Sequence, residues 1–303
     1  MAELTAFQSN LLSLLPDLEL RFDEPLHKHT SFRIGGGAEV MAFPKNREEL
    51  AQLLKTSALM DAKPAILGAG TNILAPDEGV PGLVICLKDC LSGMEQLDGD
   101  RIQVAAGVTM TRAAVFAANL GLSGMEFAHG IPGTVGGGIY MNAGAYGGEL
   151  KDICESVDVM SFDGIIKTIP AAEMGFSYRH SILEEQPGIV VSAVFCLTPM
   201  EPELIKAKMK ELQAKRTASQ PLDYPSAGSA FKRPVGGFAA AMIDEAGLKG
   251  YTVGGAAISE KHAGFAVNLG GATAKDVRDL LEQVSDIVFG KTGIRLESEI
   301  RIW

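Results

Sequence analysis

Short apolar runs dominate the chain from about residue 30 to 200. They include "LVICL" (83–87), "RIQVAAG" (101–107), "VDVMSF" (157–162) and "GIVVSAVFCL" (188–197). Runs of this length, rich in β-branched residues, predict strands. Asp163-Gly164 stands between two such runs and predicts a hairpin turn. Helical periods are few here. Asn46 with Glu49 three residues on has the form of a capping box ahead of a helix that reaches Met60, and a second helix runs from Thr109 to a stop at Gly121. At the N-terminus Leu4, Phe7, Leu11 and Leu14/Leu15 share one face of an amphipathic helix, which reads as a helix and not as a signal peptide.

After Pro199 and Pro202 the period changes. Helices are predicted at 203–216, near 238–246 and at 273–289, the last with Val277, Leu280, Leu281, Val284 and Val288 inward. Strands are predicted near 255–258 and 264–269. A final strand over 293–302 alternates cleanly. Ile294, Leu296, Ser298, Ile300 and Ile302 share one face, and Arg295, Glu297, Glu299 and Arg301 share the other. Periodicity does not say which of the two carboxylates enters a cleft. The pattern is α+β, with an N-terminal helical segment (1–29), a first domain over 30–200 and a second over 201–303.

Composition narrows the class. The 303 residues exceed one ordinary core and are 47% hydrophobic, enough for two or three compact units. No apolar run reaches transmembrane length, so no membrane insertion is expected. A formal charge of −10 argues against general affinity for nucleic acid. Cys86, Cys90, Cys154 and Cys196 form no CxxC pair and lie in or near apolar segments, which predicts buried free thiols in a reducing cytosol. His27, His29, His129, His180 and His262 show no ligand spacing, so no metal site is expected.

Candidate chemistry lies in glycine and in local positive charge. Residues 129–149, "HGIPGTVGGGIYMNAGAYGGE", hold 8 glycines in 21 positions. Such density predicts loops wrapped closely around another backbone or a ligand. "AILGAGTNIL" (65–74) begins a GxGxxG, but Ile73 stands at the third position and Pro76 blocks the helix that a dinucleotide fold places there. An anion nest survives that test beside an ordinary tight turn: Gly68 and Gly70 permit the curl, and Thr71 and Asn72 add side-chain donors. "FGKTG" (289–293) imitates the end of a phosphate loop, but Ser285 occupies the first glycine's place, so Gly290 reads as a helix cap. "SYRHS" (177–181) and "SAGSAFKRP" (226–234) supply cations that the global charge conceals.

In order along the chain, "TSFRIGG", "LGAGTNIL", "GMEFAHGIPGTVGGGIYMNAGAYGGE", "YRHS", "YPSAGSAFKRP", "IDEAGLKGYTVGGAAISEKH" and "LESEIRI" resemble the MurB family of flavoenzymes of peptidoglycan synthesis. The uninterrupted "NAGAYGGEL" resembles its shorter, type II form. The resemblance implies a two-subdomain FAD-binding unit of the vanillyl-alcohol-oxidase (PCMH) type over 30–200 and a C-terminal α+β substrate-binding domain over 201–303. It implies a cytoplasmic enzyme that reduces UDP-N-acetylglucosamine enolpyruvate to UDP-N-acetylmuramate, with bound FAD and NADPH as co-substrate. No obligate protein partner is implied. Gly68, Ala69, Gly70, Thr71, Asn72, Pro132, Gly133, Thr134, Gly137 and Asn142 would hold FAD, with Gly144 beside the flavin. Arg179 would bind the substrate carboxylate, Ser229 would give a proton to C2, helped by the charge of Lys232, and Glu299 would assist. Lys232, Arg233 and His262 would contact substrate, with Arg233 standing where many members have Asn. Another FAD oxidase of this fold, or a binding module without catalysis, would not need the "YRHS", "GSAFKRP" and "LESE" set.

Overall fold

A computed structural model describes residues 4–88 and 90–303. The chain forms two compact units. The first takes the described residues up to Phe22 with Val40–Ala69 and Gly82–Lys215. The second takes Asp23–Glu39, Gly70–Pro81 and Arg216–Trp303.

The first unit is built on a five-stranded antiparallel sheet in the order Ile166–Pro170, Cys154–Met160, Ile189–Cys196, Arg101–Ala105, Met94–Gln96. The predicted Asp163-Gly164 turn joins the first two strands, with Gly164 at φ +81°. Ala65–Leu67 runs parallel to Val80–Cys86, pairing Leu67 with Cys86. Helix α1 (Ala6–Leu14) is capped by Thr5 and Gln8 reciprocally. Leu11 and Leu15 are buried and Phe7 packs against the same core, as expected, with Gln8 buried beside them, whereas Leu14 and, ahead of the helix, Leu4 face solvent. Helix α2 (Arg47–Leu59) starts at Asn46, whose side chain accepts from Glu49 N. Helix α3 (Met110–Asn119) starts at Thr109 and buries Ala113, Ala114, Ala117 and Ala118, small side chains that let it lie close to its neighbours. Helix α4 (Val135–Tyr140) is short and glycine-rich, and α5 (Pro202–Ser219) buries Ile205, Met209 and Leu212.

Three of the four cysteines are buried as expected. Burial pushes the Cys90 and Cys154 thiols up to about 12. Cys196 is exposed, because it is the last residue of its strand and its side chain falls on the outer face.

The second unit has an antiparallel sheet in the order Ser226–Ser229, Phe265–Asn268, Ala256–Ile258, Thr252–Val253. Its core includes one face of α6 (Ala239–Glu245) and the predicted stripe of α7 (Ala274–Thr292), with Val277, Leu280, Leu281, Val284 and Val288 buried. Thr273 and Asp276 form a capping box at the start of α7, and the Asp77 carboxylate accepts from Ala274 N at 2.7 Å and Lys275 N at 3.1 Å. The helix runs past Gly290 and ends at Gly293, whose φ of +74° supplies the left-handed cap. Gly290 is therefore an interior position and not the cap expected from sequence.

The predicted final strand is mostly irregular. Only Arg301–Ile302 is a strand, parallel to Ile73–Leu74. Upstream, the chain pairs with residues 230–232 and then turns. The Ser298 hydroxyl accepts from Ile300 N at 3.1 Å and donates to Ile300 O at 3.1 Å. This local turn breaks the alternation, so Glu299 and Ile300 are both buried.

Among the described residues no helix is long and apolar enough to cross a membrane, and no three His, Cys, Asp or Glu side chains are grouped to hold a metal ion.

Leu280 lies fully inside the second core. Leu280→Ala is expected to cost about 2–5 kcal/mol of stability, the usual range for such a truncation. The measurement is the urea unfolding midpoint, and a shift below a tenth of the parent's midpoint would contradict this packing role.

Candidate active site

The strand Ala65–Leu67 hands the chain directly to Gly68 and Ala69. A Cβ on Gly68 would stand 2.9 Å from Thr134 Oγ1, so the two glycine-rich stretches approach each other at a distance that leaves no room for a side chain. The 132–137 loop is pinned to the end of the strand Arg101–Ala105. Met110 N donates to Gly133 O at 3.0 Å, Val135 N to Val108 O at 2.8 Å and Gly136 N to Ala106 O at 2.9 Å. Thr134 caps α4 by accepting from Gly137 N at 3.4 Å.

The three glycines of α4 differ in purpose. A Cβ on Gly136 would meet Ala106 Cβ at 3.0 Å, and one on Gly138 would meet Met110 Sδ at 2.9 Å, so both serve internal packing. Gly137 faces outward, and its nearest neighbour would be Thr134 Oγ1 at 3.7 Å. Pro132 is also exposed. Gly68 and Thr134 thus meet closely, with the exposed Pro132 and Gly137 on the same loop and helix start. That fits an extended anionic cofactor held by main-chain N–H groups.

Gly70 belongs to the second unit, where the fold itself demands it. Its φ is +61°, and a Cβ would lie 2.2 Å from His29 O. Thr71 and Asn72 follow in the same turn, both half-buried. The Asn72 side-chain amide donates to Glu299 O at 3.2 Å, and the Asn72 backbone carbonyl accepts from Arg301 N at 2.9 Å. One of its side-chain donors therefore holds the terminal segment.

Arg179 stands on a two-residue turn closed by Ser177 and His180, whose backbones bond each other at 3.2 and 3.3 Å. Its φ of +58° is uncommon for a residue with a side chain, so the surroundings must impose it. Both terminal nitrogens of its guanidinium lie 3.5 Å from Gly144 O, and its carbon lies 5.1 Å from the Tyr178 ring centroid. Gly144 pairs with Glu149 at the base of a hairpin.

Asn142 does not fit the expected role of flavin contact. It is fully buried, and its amide is committed internally: to Glu149 Oε2 and Ser177 O, each at 2.9 Å, and from Lys151 N at 3.0 Å. The Lys151 ammonium, then the Asn142 amide, hold the Glu149 carboxyl below its ordinary range against partial burial.

In the second unit, residues 230–232 run antiparallel to 297–299. Glu299 N donates to Ala230 O at 3.0 Å, Phe231 bridges Ser298, and Lys232 N donates to Glu297 O at 2.8 Å. Glu299 therefore lies beside the end of the strand that carries Ser229. Glu299 is buried, while the Glu297 side chain is 71% exposed and pairs with the Lys232 ammonium. The Lys232 ammonium is thus shared with an exposed carboxylate. Arg233 is exposed and stacks on Phe238, with its guanidinium carbon 4.1 Å from the ring centroid.

His262 is placed by Ser259, whose hydroxyl accepts from His262 N at 3.3 Å. Its Nδ1 accepts from Gly264 N at 3.1 Å, so the neutral ring carries its proton on Nε2. Phe265, which faces Ser229 across the sheet, meets the imidazole edge-on at 5.1 Å. Burial holds the imidazole below its ordinary value.

Comparisons with known proteins cover nearly the whole chain. Residues 38–169 match a family model described as an FAD binding domain, and residues 220–303 match the C-terminal domain of UDP-N-acetylenolpyruvoylglucosamine reductase. A UDP-N-acetylenolpyruvoylglucosamine reductase of Streptococcus pneumoniae strain JJA is 45% identical over 295 residues, 97% of each chain. That of strain 70585 is 44% identical over the same length. A crystal structure of the reductase from Thermus caldophilus aligns with a TM-score of 0.79 at 38% identity, covering 94% of this chain and 98% of that one.

His262 has a testable titration. Its folded pKa is lowered, so the unfolded chain binds the proton more readily. The neutral ring's contribution is complete above the ordinary value of 6.5 and is lost as pH falls from there through the lower folded value. NMR should find the His262 midpoint below 6.5. His262→Gln should lose less stability than the parent between pH 7.5 and 5.5 in urea unfolding. Equal losses would contradict the shift.

Proposed function

Since this chain belongs to the UDP-N-acetylenolpyruvoylglucosamine reductase family, known as MurB, we propose that it reduces the enolpyruvyl ether of UDP-N-acetylglucosamine to UDP-N-acetylmuramate. It is an FAD-dependent oxidoreductase of peptidoglycan precursor synthesis. NADPH is the electron donor of this reading, and the cytosol is its compartment, where nucleotide sugars and NADPH are met. Through peptidoglycan supply the activity serves cell-wall growth, shape and division. The FAD-binding part lies within 30–200 and the substrate-binding part within 201–303.

The observation that carries the reading is the register of Ala230 against Glu299, which brings a serine hydroxyl strand and a buried carboxyl group to adjacent positions. FAD would lie against the bare backbone of Gly68, Ala69, Pro132, Gly133, Thr134 and Gly137, with the Gly70–Asn72 turn next in the chain. Bound there, it supplies hydride chemistry that no side chain can perform.

The remaining work belongs to the protein. Arg179 presents a planar fork of donors that matches the substrate carboxylate. Hydride arriving at C3 leaves negative charge on C2, which spreads into that carboxylate, and a cation already in place stabilises it without reorganisation. Ser229 gives its hydroxyl proton to C2 and completes the product. Glu299, at the neighbouring position, offers its carboxyl group to the same end of the substrate. Lys232, Arg233 and His262 supply two cations and one N–H donor for the rest of the nucleotide sugar. The Lys232–Glu297 pair is exposed, so an anionic ligand can displace the carboxylate at small cost.

Stopped-flow flavin absorbance separates the two half-reactions. Ser229→Ala should be bleached by NADPH at the parent's rate, then reoxidise with the enolpyruvyl substrate about 10²–10⁴-fold more slowly, the usual cost of a lost general acid. Ser229→Cys should recover part of this, and Glu299→Gln should be milder than Glu299→Ala. If Ser229→Ala reoxidises at the parent's rate and forms product, Ser229 is not the acid.

The glycines give a separate test. Gly137→Val should fold but retain little flavin, because its Cβ meets nothing closer than Thr134 Oγ1 at 3.7 Å and stands on the exposed side of the helix start. Gly70→Val should fail to fold, because its Cβ meets the His29 carbonyl. Full flavin occupancy in a folded Gly137→Val would remove that glycine from the cofactor site.

A further inference from the structure

Two polar side chains in the first unit are fully enclosed, and both end on main chain beside the Arg179 turn. Asn142 Nδ2 donates to Ser177 O at 2.9 Å, on one side of the turn. Ser181 Oγ donates to Tyr140 O at 2.8 Å, on the other side. Asn142 and Ser181 are each 0% exposed, so neither touches a ligand. Both bonds lead to one place: Tyr140 is the last residue of α4, and Asn142 follows it by two. The same Asn142 amide group holds Glu149 Oε2 at 2.9 Å, while Gly144, the hairpin partner of Glu149, presents its carbonyl to the Arg179 guanidinium at 3.5 Å.

We propose that Asn142 and Ser181 are positioning residues for Arg179, two buried tethers that fix its turn and its guanidinium to the C-terminal end of α4 and the Gly144–Glu149 hairpin. The need is physical. Arg179 sits at φ +58° on a two-residue turn whose internal bonds are long, and such a turn does not hold a flexible arginine to one orientation by itself. A planar fork reads a carboxylate only when its direction is set in advance. Asn142 also stands at a positive φ, +41°, a conformation that Asn tolerates better than most residues. That backbone preference alone does not account for its three side-chain hydrogen bonds. The proposal rests on the reading of Arg179 as the carboxylate group's partner.

The test uses the FAD-loaded enzyme and four variants. Asn142→Gly keeps the left-handed backbone and deletes both the Ser177 and Glu149 bonds. Ser181→Ala removes one hydroxyl and little volume, so it remains informative if Asn142→Gly does not fold. Arg179→Lys reports on the underlying reading. In both tether variants, flavin reduction by NADPH should keep the parent's rate, while reduction of the enolpyruvyl substrate falls about 10–100-fold, the scale of a misplacement near 1 Å. Calorimetric titration should show weaker binding of the enolpyruvyl substrate and unchanged binding of UDP-N-acetylglucosamine, which has the nucleotide and sugar but no carboxylate. Asn142→Asp should be worse than Asn142→Gly, since its carboxylate would face Glu149 and the Ser177 carbonyl.

Unchanged enolpyruvyl reduction in Asn142→Gly and Ser181→Ala would overturn the proposal. So would an equal loss of UDP-N-acetylglucosamine binding, which would mark the tethers as merely structural. If Arg179→Lys slows the substrate half-reaction and the tether variants do not, the tethers fail and the role of Arg179 stands. If Arg179→Lys leaves that half-reaction untouched, the role of Arg179 fails and the proposal with it.

Discussion

Irregular backbone carries most of the functional groups in this protein, and buried irregular backbone must find hydrogen-bond partners outside the regular ladders. Side chains supply them at each critical point. Asn142 and Ser181 hold the Arg179 turn in the first unit. In the second, Ser285 bonds Leu296 through both its N–H and its carbonyl, Asn72 bonds the Glu299 carbonyl, and Asn268 bonds the Phe32 carbonyl. Each contact is a small polar side chain satisfying a peptide group that neither helix nor strand can reach. A buried donor or acceptor left unpaired costs about 1–3 kcal/mol, so these bonds decide where the loops lie more strongly than surface charges do.

That constraint shapes the electrostatics. The chain is acidic overall, at −10, yet its candidate substrate-binding groups include three cations: Arg179, Lys232 and Arg233. Their neighbours within each unit are weak competitors. Arg179 faces a carbonyl at 3.5 Å, Lys232 an exposed carboxylate, and Arg233 an aromatic ring. The Lys232–Glu297 pair is exposed, so screening by water keeps it weak.

Much of this was legible from the residues. The strands at 157–162 and 188–197, the Asp163-Gly164 hairpin, the Asn46 and Thr109 caps and the inward stripe of α7 follow from periods and caps that local sterics impose. The ordered motifs also led to the family. Less legible were features that depend on a partner distant in the chain. The α1 face kept Phe7, Leu11 and Leu15 inward but also took in Gln8, a polar residue that closes the capping box with Thr5. The long final strand shortened because the Ser298 hydroxyl satisfies a local turn before the chain reaches Ile73–Leu74.

The sequence by itself determined which residue types were present for the chemistry, and where glycine-rich loops and helix caps would fall. Backbone and side-chain preferences over a few residues are enough for that. Tertiary structure buried Glu299 and left Glu297 exposed, because a clean period-2 alternation is broken by one hydroxyl and by pairing with residues 230–232. It also divided the glycines: Gly136 and Gly138 pack against Ala106 and Met110, Gly70 against His29, and Gly137 remains open. It buried the Asn142 amide against a carbonyl 35 residues away, that of Ser177. A residue's neighbours across such a separation are set by the packing of the whole unit, and no local pattern encodes them.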